Sequence, residues 1–409
     1  MAKVRTTNPR QLRLSNRASA LAAVYLDGPM TRLGIASAAG VSPATVSNLV
    51  GELLQQGAII ESGAQESAGG RPRVLLQMNP DYGYVIGVDV GETAVLVELF
   101  DLQMRVRASH SATPLSAGLD PAETVAQVLE GIASVVADAG VPEDRILGVG
   151  VGVPGLVKHG DEVHAQTLGW DGVPLGRMLR AGTALPLVVD NGVTTFGQAE
   201  KWFGAGRDVD NTIMVLLGTG VGITIFAEGE QYRGASSSAG EWGHTTVMVG
   251  GRECRCGAFG CLEAYIGGRS VVTRYDQLRR RRPADSGSDL VQRMLTIATA
   301  RPADRSAATV LDETAAYLGA GIADLVNLFN PERIIVGGWV AQMLGEPLLV
   351  AARDVASRHA LAMPFRDVSI VAAKLGRDSV ALGAATLPVS DWLASGAVRP
   401  DGQALSRGR

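Results

Sequence analysis

The chain opens on helical periodicity and changes to strand-like runs near residue 80. Residues 14–27 place Leu14, Ala18, Leu21, Ala22 and Tyr25 on one helical face, and Asp27-Gly28-Pro29 stops the run. Thr31 is placed to cap a short second helix that ends at Gly40. Ser42-Pro43 starts a third, with a hydroxyl at the cap and proline in the first turn. Val46, Leu49, Val50, Leu53 and Leu54 follow at helical steps, and Gly57 closes the helix. Two short strands are expected at 58–61 and 74–78, around the basic hairpin tip Gly69-Gly70-Arg71-Pro72-Arg73. The pattern predicts a winged helix-turn-helix.

That third helix turns Ala44, Thr45, Ser47 and Asn48 to solvent, with Ser42 at its tip. Short hydroxyl, amide and methyl side chains at a helix N-terminus suit base edges and phosphates in a major groove. Arginines on a wing suit a narrow minor groove. Ser42, Ala44, Thr45, Ser47, Asn48, Arg71 and Arg73 are therefore the candidate contacts to double-stranded operator DNA. Charge agrees: residues 1–78 hold eight Lys and Arg against four Asp and Glu, a net +4 within a chain of net −4. A helical protein-binding module with a loose basic loop is the alternative.

Beyond residue 80 apolar strands alternate with glycine turns. Val85-Ile-Gly-Val-Asp89-Val-Gly91-Glu92 leads to a second strand at 95–100. Gly148-Val-Gly-Val-Gly-Val-Pro154-Gly155 and Val188-Val-Asp190-Asn191-Gly192 come next. Leu217-Gly218-Thr219-Gly220-Val221-Gly222 and Ile334-Ile-Val-Gly337-Gly338-Trp339 complete the series. Strand–turn–strand with a carboxylate and glycine at the bend suits phosphate or magnesium binding. An apolar helix at 314–330 feeds a strand at 333–336. The four arginines at 279–282 read as a solvated helix end, and His110, His159 and His164 as surface or turn residues.

All three cysteines fall in Cys254-Arg-Cys256-Gly-Ala-Phe-Gly-Cys261, shortly after His244. A disulfide would leave one cysteine over and close an absurdly small loop. Three thiols and an imidazole instead complete a tetrahedral zinc site, with His244, Cys254, Cys256 and Cys261 as ligands. Reduced cysteines and a polar, Arg-containing N-terminus without a signal peptide point to the cytoplasm. No apolar run reaches the length of a membrane span.

These landmarks in this order resemble the ROK family of repressors, open reading frames and sugar kinases. Over about 84–388, Gly-Glu241-Trp-Gly-His244 and the cysteine motif with Glu263 carry the resemblance, and the winged head makes the chain similar to its transcriptional regulators. The resemblance implies an α/β chain in which a winged helix-turn-helix precedes a two-lobed actin-like (ribonuclease H-like) ATPase-type fold. The expected divisions are the head at 1–80, a small lobe at 81–195, a large lobe with the zinc site at 196–390 and a tail at 391–409. The resemblance also implies that Asn191, Glu241, His244 and Glu263 hydrogen-bond a sugar, with Gly155 beneath it; Glu241 and Glu263 as structural partners of the metal site are the alternative.

The kinase parts are eroded relative to that family. Its catalytic Asp, counted back from Glu200, falls on Gly192, and the following Asn on Thr194. Glu92 and Ala94 replace a glycine and a lysine of the first phosphate loop, Ile223 a glycine of the second, and Trp339 a glycine beside the adenosine. A positioned general base is worth about 10²–10⁴-fold in rate. The expectation is a regulator, a repressor, that binds DNA as a homodimer or homotetramer and answers to a sugar or sugar phosphate. An active ATP-dependent sugar kinase with a DNA-binding head, using Asp190 as base, is the rival.

Overall fold

The computed structural model describes residues 8–66, 72–92, 94–113, 120–280, 287–300 and 303–397. Three helices come first: α1 (Pro9–Asp27), α2 (Arg32–Ala39) and α3 (Pro43–Gln56). α1 starts earlier than periodicity suggests, because Asn8 Oδ1 accepts from Arg10 N at 3.1 Å and Pro9 fills the first turn. Thr31 Oγ1 caps α2 through Gly34 N at 3.1 Å, and Ser42 Oγ caps α3 through Thr45 N at 3.3 Å. The chain turns through 114° between α2 and α3, within the helix-turn-helix range. β1 (Ile59–Gln65) and β2 (Arg73–Met78) form the antiparallel wing, and Met30 exchanges two 2.9 Å backbone bonds with Leu76. β1 runs past the expected end at 61 because a register shift between Glu61 and Gly63 keeps the pairing going.

The first body sheet is built from β3 (Tyr84–Val90), β4 (Val95–Asp101) and β5 (Val106–Ala112), then, after α4 (Pro121–Ala139), β6 (Ile146–Val153). Three short strands, β7 (Leu156–Lys158), β8 (Glu162–Ala165) and β9 (Trp170–Val173), form a separate flap before α5 (Leu175–Gly182) and β10 (Leu187–Asn191). The sheet order is β10-β6-β3-β4-β5, an antiparallel trio extended by two parallel strands. α6 (Gly192–Phe203) leads to β11 (Thr212–Leu217), β12 (Val221–Ala227) and β13 (Glu230–Tyr232). Four helices follow, α7 (Glu263–Ile266), α8 (Gly268–Leu278), α9 (Gly287–Ala300) and α10 (Arg305–Phe329). β14 (Arg333–Gly337), α11 (Trp339–His359), α12 (Ala362–Asp367), β15 (Ser369–Ala372) and α13 (Ser379–Ala394) complete the chain. The second sheet, β13-β12-β11-β14-β15, repeats the first plan, as an actin-like body requires. β6 is buried at all eight positions, as expected of a strand covered on both faces.

α13 lies unusually close to the first sheet. A Cβ on Gly87 of β3 or Gly150 of β6 would overlap the carbonyls of Ala381 and Ala384, and one on Gly148 would meet Pro388 at 2.8 Å. Gly383 approaches α6 as closely, against Thr195. Backbone thus meets backbone where strand glycines face helix alanines. The far end of α13 enters the head: Ala385, Val389, Trp392, Leu393 and Ala397 share one buried cluster with Leu21, Val24, Val50, Leu53 and Leu76. Residues 391–394, expected to begin a tail, therefore continue α13, and Ala397 is buried; 398–409 lie outside the described residues.

α6 makes a second junction. Tyr25 of α1 stacks edge-on against Trp202 and Phe203, with ring centroids 5.8 and 6.4 Å apart. Arg207, just beyond α6, donates to Leu26 O and pairs with Asp27 at 3.0 Å. Arg17, one of the eight cations of residues 1–78, is buried; it donates to Gly396 O and Gln56 and pairs with Glu52 at 3.3 Å. Gly150→Ala is expected to lower unfolding stability by about 1–3 kcal/mol, because the new methyl has no room without moving α13. Chemical denaturation measures this, and an unchanged midpoint would contradict the close-packed geometry.

Candidate functional site

The two lobes enclose a cleft of about 1050 Å³. Gly91 and Glu92 line it from the β3–β4 turn, Gly155 and His164 from the flap, Asn191 to Thr194 from the start of α6, and Gly218 to Gly220 from the β11–β12 turn. Glu241, His244, Arg255 and Glu263 line it from the metal-loop side, and Asp378 to Val380 from the start of α13. Both helices that reach the head thus begin at the cleft.

Four donor atoms converge beside it. The ligand atoms of His244, Cys254, Cys256 and Cys261 all lie within 4.8 Å of one another. Cys256 Sγ and Cys261 Sγ are 3.7 Å apart, as are Cys254 Sγ and His244 Nδ1. A tetrahedral centre with metal–sulfur bonds of about 2.3 Å has edges of about 3.7 Å, so the donors are already at coordination spacing. A tight fold of the loop sets this: Gly260 is left-handed (φ 79°), and a Cβ there would overlap Met248 O. His244 points Nδ1 at the thiols and Nε2 toward Glu241 Oε2, 3.9 Å away.

The expected sugar residues meet at this cleft in unequal states. Asn191 is largely engaged: Oδ1 caps α6 by accepting from Val193 N (2.6 Å) and Thr194 N (3.3 Å), while Nδ2 donates to Gly155 O. Gly155 (φ 85°) has no room for a side chain against His164 O. Glu263 is buried, accepts from Val221 N at 2.9 Å and lies 3.7 Å from Arg255, so it supports the β11–β12 turn. Glu241 is half-exposed, and burial, partly offset by His244, raises its pKa. Of the two expected sugar carboxylates, Glu241 and Glu263, it is the more open to a ligand.

Sequence reasoning missed three residues, Arg255, His164 and Arg233, and the bonding role of a fourth, Glu200. Arg255, between Cys254 and Cys256, reaches across the cleft to Glu92 Oε2 at 3.3 Å. His164, expected at the surface, lines the cleft with Asp171 at 2.8 Å on Nδ1 and Glu162 at 2.7 Å on Nε2. Glu200, fully buried on α6, accepts from Ala205 N and from Lys374 N and Leu375 N in the loop before α13. Arg233 pairs with Asp190 at 2.7 Å. None follows from local periodicity, and only the lone charge between Cys254 and Cys256 hinted at Arg255.

The phosphotransfer positions contrast with this order. A Cβ on Gly192 would meet nothing closer than 3.6 Å, so packing does not demand glycine there. Trp339, the first residue of α11, lays its indole against Gly218 and Gly268 beside the second glycine turn. Asp190 Oδ1 accepts from Asn191 N at 2.8 Å and Oδ2 holds Arg233, so its carboxylate is tethered. On the head, Ser42, Ala44, Ser47, Asn48 and Arg73 are exposed and Thr45 is half-buried; Arg71 lies outside the described residues.

A duplicated actin-like body with a cysteine–histidine cluster at its cleft and a winged head belongs to the sugar-kinase-like regulators. The ROK family model matches residues 85–390. The xylose repressor of Caldicellulosiruptor bescii is 32% identical over 393 residues, covering 94% of this chain and 98% of that one. A crystal structure of a ROK family transcriptional regulator, a homolog of the E. coli MLC protein, superposes with a TM-score of 0.76 at 25% identity, covering 94% of this chain and 98% of its own. A ROK family glucokinase from Streptomyces griseus, solved with glucose and AMPPNP, gives 0.63 at 32% identity and covers 75% of this chain and 99% of its own. The chain belongs to the ROK family.

Elemental analysis of the purified protein is expected to find about one divalent ion per chain. Cys256→Ser should lose that ion and lower the melting temperature by several degrees, since metal binding to a folded site adds to folding free energy. Full stability without metal would remove the cluster from the account.

Proposed function

We propose that this protein is a sugar-responsive transcriptional repressor whose winged head binds a palindromic operator as a dimer. The observation that carries the reading is the path of α6 and α13, which start at the cleft and end packed against the head. A ligand that bridges the lobes shifts these helices relative to each other. The head shares their packing, so its orientation changes with them. Regulation then requires unequal affinity for the two states; a full switch from 1:99 to 99:1 needs about 10⁴-fold.

Zinc is the metal that fits three thiolates and an imidazole, and it would supply rigidity here, not reaction chemistry. With Nδ1 on the metal, His244 keeps Nε2 free for a sugar hydroxyl, beside Glu241. Glu241 accepts from vicinal hydroxyls, and Glu263 holds the turn behind it. Ser42, Ala44, Thr45, Ser47 and Asn48 would meet the major groove and Arg73 the minor groove beside the wing; Arg71, outside the described residues, joins them on sequence alone.

Phosphotransfer is not part of this function. Gly192 offers no proton acceptor, and Asp190 is held by Arg233. Glu92 brings a carboxylate to the turn that a kinase would use for phosphate, which repels a triphosphate. The C. bescii relative is named a repressor, which favours the same reading over the kinase.

Fluorescence anisotropy with operator DNA, titrated against D-xylose, D-glucose and N-acetyl-D-glucosamine, tests the reading. One sugar is expected to weaken operator binding by about tenfold or more, while a coupled assay with ATP shows no turnover. Ordinary kinase rates, or operator affinity indifferent to every sugar, would contradict it.

A further inference from the structure

The cleft is strongly unbalanced in charge. Its described lining includes six carboxylates, Asp89, Glu92, Asp171, Glu241, Glu263 and Asp378. Two guanidiniums oppose them, Arg255 and Arg377, and Arg377 is exposed at the rim. Arg255 is the inward cation, and it is taken: Glu92 holds one side at 3.3 Å and Glu263 stands 3.7 Å from the other. Its backbone sits between Cys254 and Cys256 of the donor cluster, which fixes where the side chain starts.

A phosphate group brings a charge of about −1.5 to −2 near neutral pH together with strong acceptor oxygens. Neutral hydroxyls and amides line the cleft, but a dianion needs a cation to offset its charge, and the inward cation here already faces two carboxylates. The cleft resists negative charge even without a ligand: burial first, and Asp378 second, push the Asp89 carboxyl up to about 7. Burial likewise raises Glu92, with Arg255 working against the rise and the exposed Arg269 adding less. A neutral pyranose meets none of this opposition, since its hydroxyls donate to carboxylates.

We propose that Glu92, by occupying Arg255, makes the cleft select an unphosphorylated sugar and reject the same sugar carrying a phosphate. Glu92 is thus a specificity determinant on the first lobe, acting through a guanidinium that the metal loop of the second lobe presents. This rests on the sugar-effector reading above and narrows it to one chemical class.

Isothermal titration calorimetry on the full, metal-loaded chain tests it with D-xylose, D-glucose, N-acetyl-D-glucosamine and the 6-phosphates of the last two. At least one hexose is expected to bind, with its 6-phosphate weaker by about tenfold or more. Glu92→Gln removes the charge at constant size and frees Arg255. It should raise the phosphate's affinity by about tenfold while moving the neutral sugar less than about threefold. Glu92→Gly serves as a second variant, with an unchanged thermal melt as the folding control for both. Phosphates that bind the natural protein as well as their parent sugars would overturn the proposal, as would an unchanged gap in Glu92→Gln. Silence toward every probe would overturn the sugar reading itself, and this inference with it, so the two failures are told apart.

Discussion

The fold turns on the close contact between α13 and the first sheet. Strand glycines Gly87 and Gly150 leave no space between the sheet backbone and the carbonyls of Ala381 and Ala384. Such a contact tolerates little sliding, because interiors pack at crystal-like density and a displaced helix must move as a unit. The same helix carries Trp392 and Leu393 into the core of the winged head. Head and body are therefore not beads on a linker. The winged head completes its hydrophobic core with residues of the body, and Arg17 seals the join by donating to Gly396 O.

The second consequence is a pair of helices with the same two ends. α6 begins at Asn191, whose side chain caps the helix and ties it to Gly155 across the cleft floor. It ends at Trp202 and Phe203 against Tyr25. Glu200 clamps α6 to the loop before α13 through backbone amides of Lys374 and Leu375. A ligand that moves Asn191 relative to Ser379 has a short mechanical route to the head. On the other lobe the cysteine–histidine loop presents Arg255 to Glu92, so this donor cluster and the first lobe are joined by an ion pair. The pair is only partly exposed, so solvent screens it less than a surface salt bridge.

Much of this was legible along the chain wherever cause and effect are close in sequence. Thr31 and Ser42 cap the helices they were expected to cap, Gly40 and Gly57 end them in left-handed geometry, and the buried face Val46, Leu49, Val50, Leu53 is the one periodicity marks. The four donors of the metal cluster are near neighbours in sequence and converge in space. What stayed hidden depends on distant pairing. Arg17 looks like one more DNA-facing cation until Glu52, Gln56 and Gly396 are folded around it. Asn191 reads as a ligand residue, yet most of its amide serves as a cap. Residues 391–397 mix small, polar and apolar types, and only the head's core gives Trp392, Leu393 and Ala397 a reason to be buried. His164 has no ligand spacing of its own; Glu162 lies two residues away on the same strand, and Asp171 reaches it because β9 folds back on β8.

Hydrogen exchange measured with and without the sugar that releases the operator tests the shared-helix account most directly. Exchange is expected to change at the cleft, along α6 and the C-terminal half of α13, and in α1 of the head, all at the same ligand concentration. A change confined to the flap and the metal loop, with α13 and α1 untouched while the operator is still released, would contradict it.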